Sequence, residues 1–152
     1  MKSTPDQLLP EPIGRRLSKI GKLFLANLQV YLKHLDIERS FFPLLIIEAG
    51  NGLTQQELAS QLNCDKVQVV RIIDYLSSNG YVKRSPNKTD KRKYELIITE
   101  KARIIIPDIQ NAFSQTTFQA LKGLSENQIK EFYSILSFIE NNLITNNSKI
   151  VK

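Results

Sequence analysis

The 152-residue sequence predicts a mainly helical chain carrying one small β-hairpin. Three observations carry this reading. Apolar residues recur at three- and four-residue steps along most of the chain, the period of a helix with one buried face. Residues able to cap a helix N-terminus stand just before several of these stretches. Between residues 81 and 98 the pattern changes to aromatic and β-branched runs separated by turn formers, as in a hairpin.

The first helix is expected from about Gly14 to Leu35, where Leu17, Ile20, Phe24, Leu28, Tyr31, Leu32 and Leu35 form one apolar stripe. A second, short helix should run from Phe41 to Ala49. Ser40 is its N-cap candidate, and Pro43 falls in the first turn, where a missing N–H costs little. Gly50, Asn51 and Gly52 end it. The third helix begins with Thr54 and Glu57 at capping-box spacing, with Leu53 and Leu58 placed to staple across the cap, and ends near Leu62 and Asn63. The fourth repeats the device, with Asp65 as N-cap, Gln68 three residues on, and Cys64 stapling onto Val69. It runs to about Asn79, and Gly80 can take the left-handed conformation that closes it.

Tyr81–Ser85 and Tyr94–Ile98 read as the two strands of the hairpin, with Pro86, Asn87, Thr89 and Asp90 between them as turn formers. Thr99 caps a fifth helix starting at Glu100, which Pro107 should kink or split. A sixth starts at Ser125 with Gln128 completing a capping box, and its stripe is Ile129, Phe132, Leu136, Ile139 and Leu143.

Charge sharpens the picture. The formal net charge is +6, from 21 basic and 15 acidic residues. Residues 83–93 hold Lys83, Arg84, Lys88, Lys91, Arg92 and Lys93 against Asp90 alone, a net of +5, which leaves 15 basic and 14 acidic groups elsewhere. Charge concentrated on a hairpin is an electrostatic footprint for a polyanion, while a solvated loop is the plainer alternative.

Several classes are set aside. One cysteine, Cys64, excludes an internal disulfide and fits a reducing compartment. Met1–Glu11 lacks the apolar stretch of a secretory leader. The longest apolar run, Phe41–Ile47, is too short for a membrane span. A cytoplasmic location is therefore expected, with no membrane partner. One histidine and one cysteine thirty positions apart make no metal site, and no cofactor is expected. No Gly-rich phosphate loop, Gly-x-Ser-x-Gly or His-Glu-x-x-His occurs, so no enzyme is expected.

Two short helices with a tight turn at Asn63–Cys64, followed at once by a hairpin, make a winged helix-turn-helix, in which the second helix enters the DNA major groove. Leu58, Ala59, Leu62, Val69, Ile72, Ile73 and Leu76 can close its core, leaving Lys66, Val67, Gln68, Val70 and Arg71 on the outward face of the fourth helix. Gln68 suits bidentate pairing with adenine, Arg71 suits guanine or a phosphate, and either valine suits a thymine methyl. Packing against the second helix or the wing is the alternative for the valines, and solvation for Gln68 and Arg71.

The segments Leu53–Ala59, Asp65-Lys66 and Asn79–Arg84, then Asp90-Lys91-Arg92 and Ile98-Thr99-Glu100-Lys101, resemble the MarR family of regulators over about residues 40–101. The resemblance implies a transcription regulator that binds double-stranded DNA. Arg84 and Lys88 fall in the matching wing. Arg92 matches the wing arginine that enters the minor groove, and Asp90 matches the acid that holds it by a salt bridge. A narrow minor groove concentrates negative potential, so such an arginine reads shape. Family members often place serine or threonine where Val67 and Val70 stand, a departure that bears on operator sequence.

The resemblance further implies a homodimer joined through the first, fifth and sixth helices, with Leu17, Ile20, Ile129, Phe132, Leu136 and Ile139 as candidate contacts. A monomeric helical cap is the alternative. The expected organisation is thus a helical dimerisation region over 1–38 and 100–152 around a winged helix over 39–99. Family ligand pockets lie between these parts, which makes Tyr31, His34 and Tyr133 candidates to line one for a small-molecule effector. The function expected is a ligand-responsive repressor acting on an inverted-repeat operator. Two rivals remain, a winged-helix module that grips a protein partner and a sequence-nonspecific DNA-binding protein. Cys64 occupies an apolar staple position and is read as a buried structural thiol.

Overall fold

The computed structural model describes residues 11–35, 37 and 40–150, with side chains to residue 146. Met1–Pro10, on which the leader expectation rests, and the expected boundary at residues 38 and 39 lie outside the described residues. Six helices and three strands follow one another: α1 (Ile13–Tyr31), α2 (Phe41–Gly50), β1 (Leu53–Thr54), α3 (Gln55–Leu62), α4 (Lys66–Ser78), β2 (Val82–Pro86), β3 (Tyr94–Ile98), α5 (Glu100–Ala120) and α6 (Glu126–Ile150). The chain divides into two compact units at Thr116–Thr117.

In the first unit, α1 ends four residues before the expected Leu35. Leu32 N–H turns back to the Gln29 carbonyl and Leu35 N–H to that of Leu32, a tightened finish that carries Leu32 and Ile37 into the core. Ser40 stands at the N-cap of α2, yet its hydroxyl makes no capping bond. The reason lies three residues on, where Pro43 has no N–H to offer. Asn51 (φ 44°) and Gly52 (φ 112°) then reverse the chain in left-handed conformations.

That reversal delivers a strand absent from the sequence reading. Leu53 and Thr54 pair with Leu96 and Glu95, so the wing is a three-stranded antiparallel sheet of order β1-β3-β2. A two-residue strand is too short to show a period. The β2–β3 hairpin is in the register Val82 opposite Ile98 and Pro86 opposite Tyr94, and the Asn87 N–H continues it to the Lys93 carbonyl at 2.8 Å.

At the centre of the core stand Leu28, Leu44, Ile47, Leu58, Ile73, Leu76, Leu96 and Ile109, each at most 1% exposed. Helix α5 passes through Pro107 as one 21-residue helix and is not split. An interior proline costs a helix about 3 kcal/mol. Here Ala102, Ile106, Ile109 and Ala112 are buried on either side of it and hold the two halves in line.

The second unit contains α6. Ser125 and Gln128 close the expected capping box, with Ser125 N–H donating to Gln128 Oε1 at 2.8 Å and Gln128 N–H to Ser125 Oγ at 3.3 Å. None of its described side chains is buried. Among the described residues, no helix is long and apolar enough to cross a membrane.

Candidate nucleic-acid interface

Local caps set the angle between α3 and α4. Thr54 Oγ1 accepts the Glu57 N–H at 3.3 Å, and Glu57 Oε2 returns to the Thr54 N–H at 2.7 Å and takes its hydroxyl at 2.8 Å. The Thr54 backbone N–H, then the Thr54 hydroxyl and at longer range Lys93, hold the Glu57 carboxyl below its ordinary pKa. Asn63 (φ 48°) makes the turn, and its N–H bonds back to Ser60. Asp65 Oδ1 then accepts the Gln68 N–H at 2.8 Å to start α4. Only this forward half of the second box forms, so the Gln68 side chain remains exposed.

Val69, Ile73 and Leu76 turn one face of α4 into the core. Lys66, Val67, Gln68 and Arg71 are exposed on the other, and Val67 shows 59% of its surface. Val70 is half-buried, so the packing alternative accounts for part of that side chain but not for Val67. Half-buried Cys64 packs against the core.

The wing is held to α4 by Arg84, whose Nη2 reaches Asp74 Oδ1 at 2.8 Å. Its tip is organised by Asn87. Asn87 Oδ1 accepts the Thr89 N–H at 2.8 Å, the Thr89 hydroxyl at 2.6 Å and the Asp90 N–H at 2.9 Å, while its amide donates to Glu95. The expected ion pair between Asp90 and Arg92 is absent. Asp90 Oδ1 instead accepts the Arg92 backbone N–H at 3.1 Å, an Asx turn that shapes the loop and leaves the guanidinium exposed. An exposed pair of this kind gains little in water, so the local turn wins. Lys88, Lys91, Arg92 and Lys93 are all exposed around this tip.

The start of α5 is tied to the end of α4. Thr99 Oγ1 accepts the Ala102 N–H at 3.3 Å as the expected cap and donates to the Gly80 carbonyl at 2.6 Å. Lys101 Nζ donates to the Asn79 carbonyl at 2.7 Å and lies 4.4 Å from the Tyr81 ring centroid. A cation at the carbonyl end of α4 also complements its dipole.

The residues named for a ligand pocket fall in both units. Tyr31 is 42% exposed at the end of α1, and His34 Nε2 faces Asp108 Oδ2 of α5 at 3.2 Å. Tyr133 belongs to the second unit, where its ring meets Phe132. A cleft of about 680 Å³ opens instead beside α4, lined by Leu32, Lys33, Ile37, Phe41, Arg71 and Tyr75 among others. Neither Tyr31 nor His34 lines it, because the chain turns inward after Tyr31. Among the described residues, no group of three or more histidine, cysteine, aspartate or glutamate side chains is placed to hold a metal.

None of the candidate helix contacts is fully buried within one chain. Leu17 is 38%, Ile20 54% and Phe132 40% exposed, while Ile129, Leu136 and Ile139 are half-buried. Leu23, Ile135, Phe138 and Ile144 share this exposure and escaped the sequence reading, which followed a single stripe.

Residues 38–94 match the sequence profile of the MarR family. A mutant MarR from E. coli, solved in complex with operator DNA, is 27% identical. It superposes with a TM-score of 0.76 over 84% of this chain and 93% of that one. A SlyA-like transcription regulator from Listeria monocytogenes is 25% identical, with a TM-score of 0.79 over 90% of this chain and 92% of that one. The transcriptional regulator SlyA matches in fold, with a TM-score of 0.83, 22% identity, and coverage of 93% of this chain and all of that one.

Proposed function

We propose that this chain, whose residues 38–94 match the MarR family profile, is a transcription regulator binding double-stranded DNA sequence-specifically. The observation that carries this reading is the outward face of α4, where Lys66, Val67, Gln68 and Arg71 stand exposed beside a wing tip with four exposed cations. Gln68 reads adenine, Arg71 reads guanine or a phosphate, and Val67 meets a thymine methyl. Half-buried Val70 completes that face. Arg92, with Asp90 shaping its loop, reaches the minor groove, while Lys88 and Lys91 approach phosphates. Arg84 acts through the wing it ties to Asp74.

The protein works as a homodimer in the cytoplasm. The exposed apolar faces of α1 and α6 support the pairing, since a chain of this size gains from covering them. Residues 1–38 and 100–152 form the dimerisation region around a winged helix at 39–99, with Leu17, Ile20, Ile129, Phe132, Leu136 and Ile139 in the contact. A two-fold axis calls for an inverted-repeat operator, with recognition helices roughly 34–36 Å apart. Repression follows when the bound dimer blocks a promoter. A small effector in the cleft beside α4 relieves it, and a coupling of about 1–3 kcal/mol is sufficient. The position of Arg71 in that cleft as well as on the reading face supports this link.

Selection from a random duplex pool tests the reading. A winning inverted repeat with half-sites about ten base pairs apart, bound well above random DNA, is the expected result. Weak binding that ignores sequence and vanishes at physiological salt would leave only the attraction of a basic wing.

A further inference from the structure

Two shallow clefts meet at the start of α3, and of the residues on the exposed face of α4 described above only Lys66 lines either. One, of about 410 Å³, is lined by Thr54, Gln55, Gln56, Glu57, Lys93 and Tyr94. The other, of about 400 Å³, is lined by Gln55, Gln56, Ala59, Lys66 and Val69. Gln55 and Gln56 line both, so the clefts form one strip from the loop end of the wing hairpin to the first turn of α4.

Its chemistry is specific. The ends carry one cation each, Lys93 and Lys66, both exposed. Between them stand two carboxamides and the phenol of Tyr94, which is 56% exposed although its position on β3 offers it a place against the sheet. The one acid in the strip, Glu57, has its Oε2 committed to the Thr54 N–H and hydroxyl. A ligand therefore meets two carboxamides and a phenol bracketed by two positive charges, beside a Glu57 carboxylate whose Oε2 is turned to Thr54. That set suits a run of singly charged oxyanions better than one compact dianion. The strip lies to one side of the base-reading face, where a duplex fitted to α4 presents backbone rather than base edges.

We propose that Gln55, Gln56, Tyr94 and Lys93, with Lys66, form a second contact line that grips phosphodiesters flanking each half-site. This rests on the DNA-binding reading above and adds to it a set of residues that position the duplex without reading it. Neutral and charged members act differently. A carboxamide or phenol donating to a phosphate displaces no counterion, whereas a lysine does.

The test uses the full-length protein and the duplex won in the selection, with unfolding curves to establish that each variant folds like wild type. Gln56→Ala should weaken binding about fivefold on matched and mismatched duplexes alike, leaving the slope of log K against log salt unchanged. Lys93→Gln should weaken binding and flatten that slope by about 0.9. Replacing one flanking phosphate at a time with an uncharged methylphosphonate should reveal a position that matters to wild type and no longer matters to Lys93→Gln. If no flanking methylphosphonate affects wild type, or if Gln56→Ala alters base preference, the contact line is wrong although the protein still selects a sequence. A wild type that selects no sequence overturns the proposed function instead.

Discussion

Helices α4 and α6 have the same apolar period and opposite fates. In α4 the residues Val69, Ile73 and Leu76 are at most 1% exposed, held by α3, the sheet and the rest of the first unit. In α6, which is nearly twice as long, none of the described side chains is buried, and Phe138 and Leu143 show 69% and 61% of their surface. Periodicity says that a helix has a face to bury, but not whether its own chain supplies the cover. The difference separates two kinds of work. On the proposed function, the element that presents Gln68 to a base pair is fixed from behind by its own core, and the one that meets another chain keeps its apolar face open.

Breaking the buried side has the largest expected effect. Ile73→Ala removes a fully buried side chain from the back of α4 and should cost about 2–5 kcal/mol in denaturant unfolding. If that cost were under about 1 kcal/mol, α4 would not be anchored as described. On the open side, Phe138→Asp should leave the secondary structure intact by circular dichroism and shift the protein to monomer in sedimentation. An unchanged mass would remove α6 from the interface.

Substitutions on the exposed face of α4 sharpen the contrast further. Gln68→Ala keeps the backbone N–H that Asp65 caps, so stability should hold while discrimination at one base pair per half-site falls by about 1–3 kcal/mol. Arg92→Ala should instead weaken binding to all duplexes and reduce its salt dependence. Asp74→Asn breaks an exposed pair and should cost less than about 1 kcal/mol of stability. Its effect should appear in DNA affinity, through a wing less firmly held.

The smallest expected effect is pH-dependent. The Glu57 carboxyl, held below its ordinary pKa by Thr54, stabilises the fold above the ordinary carboxylate value. That contribution is lost as pH falls through the lowered one. Glu57→Gln should flatten the acid limb of the stability curve, measured as unfolding midpoint against pH.

The legible parts of the fold were those written in neighbouring residues. The capping boxes at Thr54/Glu57 and Ser125/Gln128, the Asp65 cap, the Thr99 cap and the turn at Gly80 all depend on side chains within a few positions. The misreadings needed information from further away or from an absent atom. Ser40 looked like a cap until the missing N–H of Pro43 was counted. Pro107 looked like a break until the burial of Ile106 and Ile109 outweighed it. Strand β1 exists because Asn51 and Gly52 fold Leu53 against Leu96.

In the site, the reading face of α4 followed from its periodicity. The resemblance implies a guanidinium partner for Asp90, whereas the nearer Arg92 backbone N–H takes it. The cleft beside α4 draws Lys33 from the turn after α1, Phe41 from α2 and Arg71 from α4, a meeting that no local pattern announces. The strip through Gln55, Gln56, Lys93 and Tyr94 likewise joins residues nearly forty positions apart.

The contrast between α4 and α6 is tested most directly by the mass of the full chain, alone and on its selected duplex, in sedimentation equilibrium. The expected result is twice the 17.4 kDa of one chain in solution and two chains per inverted repeat. A chain that remains at 17.4 kDa alone and binds the duplex as a single copy would contradict it, and the open face of α6 would need another explanation.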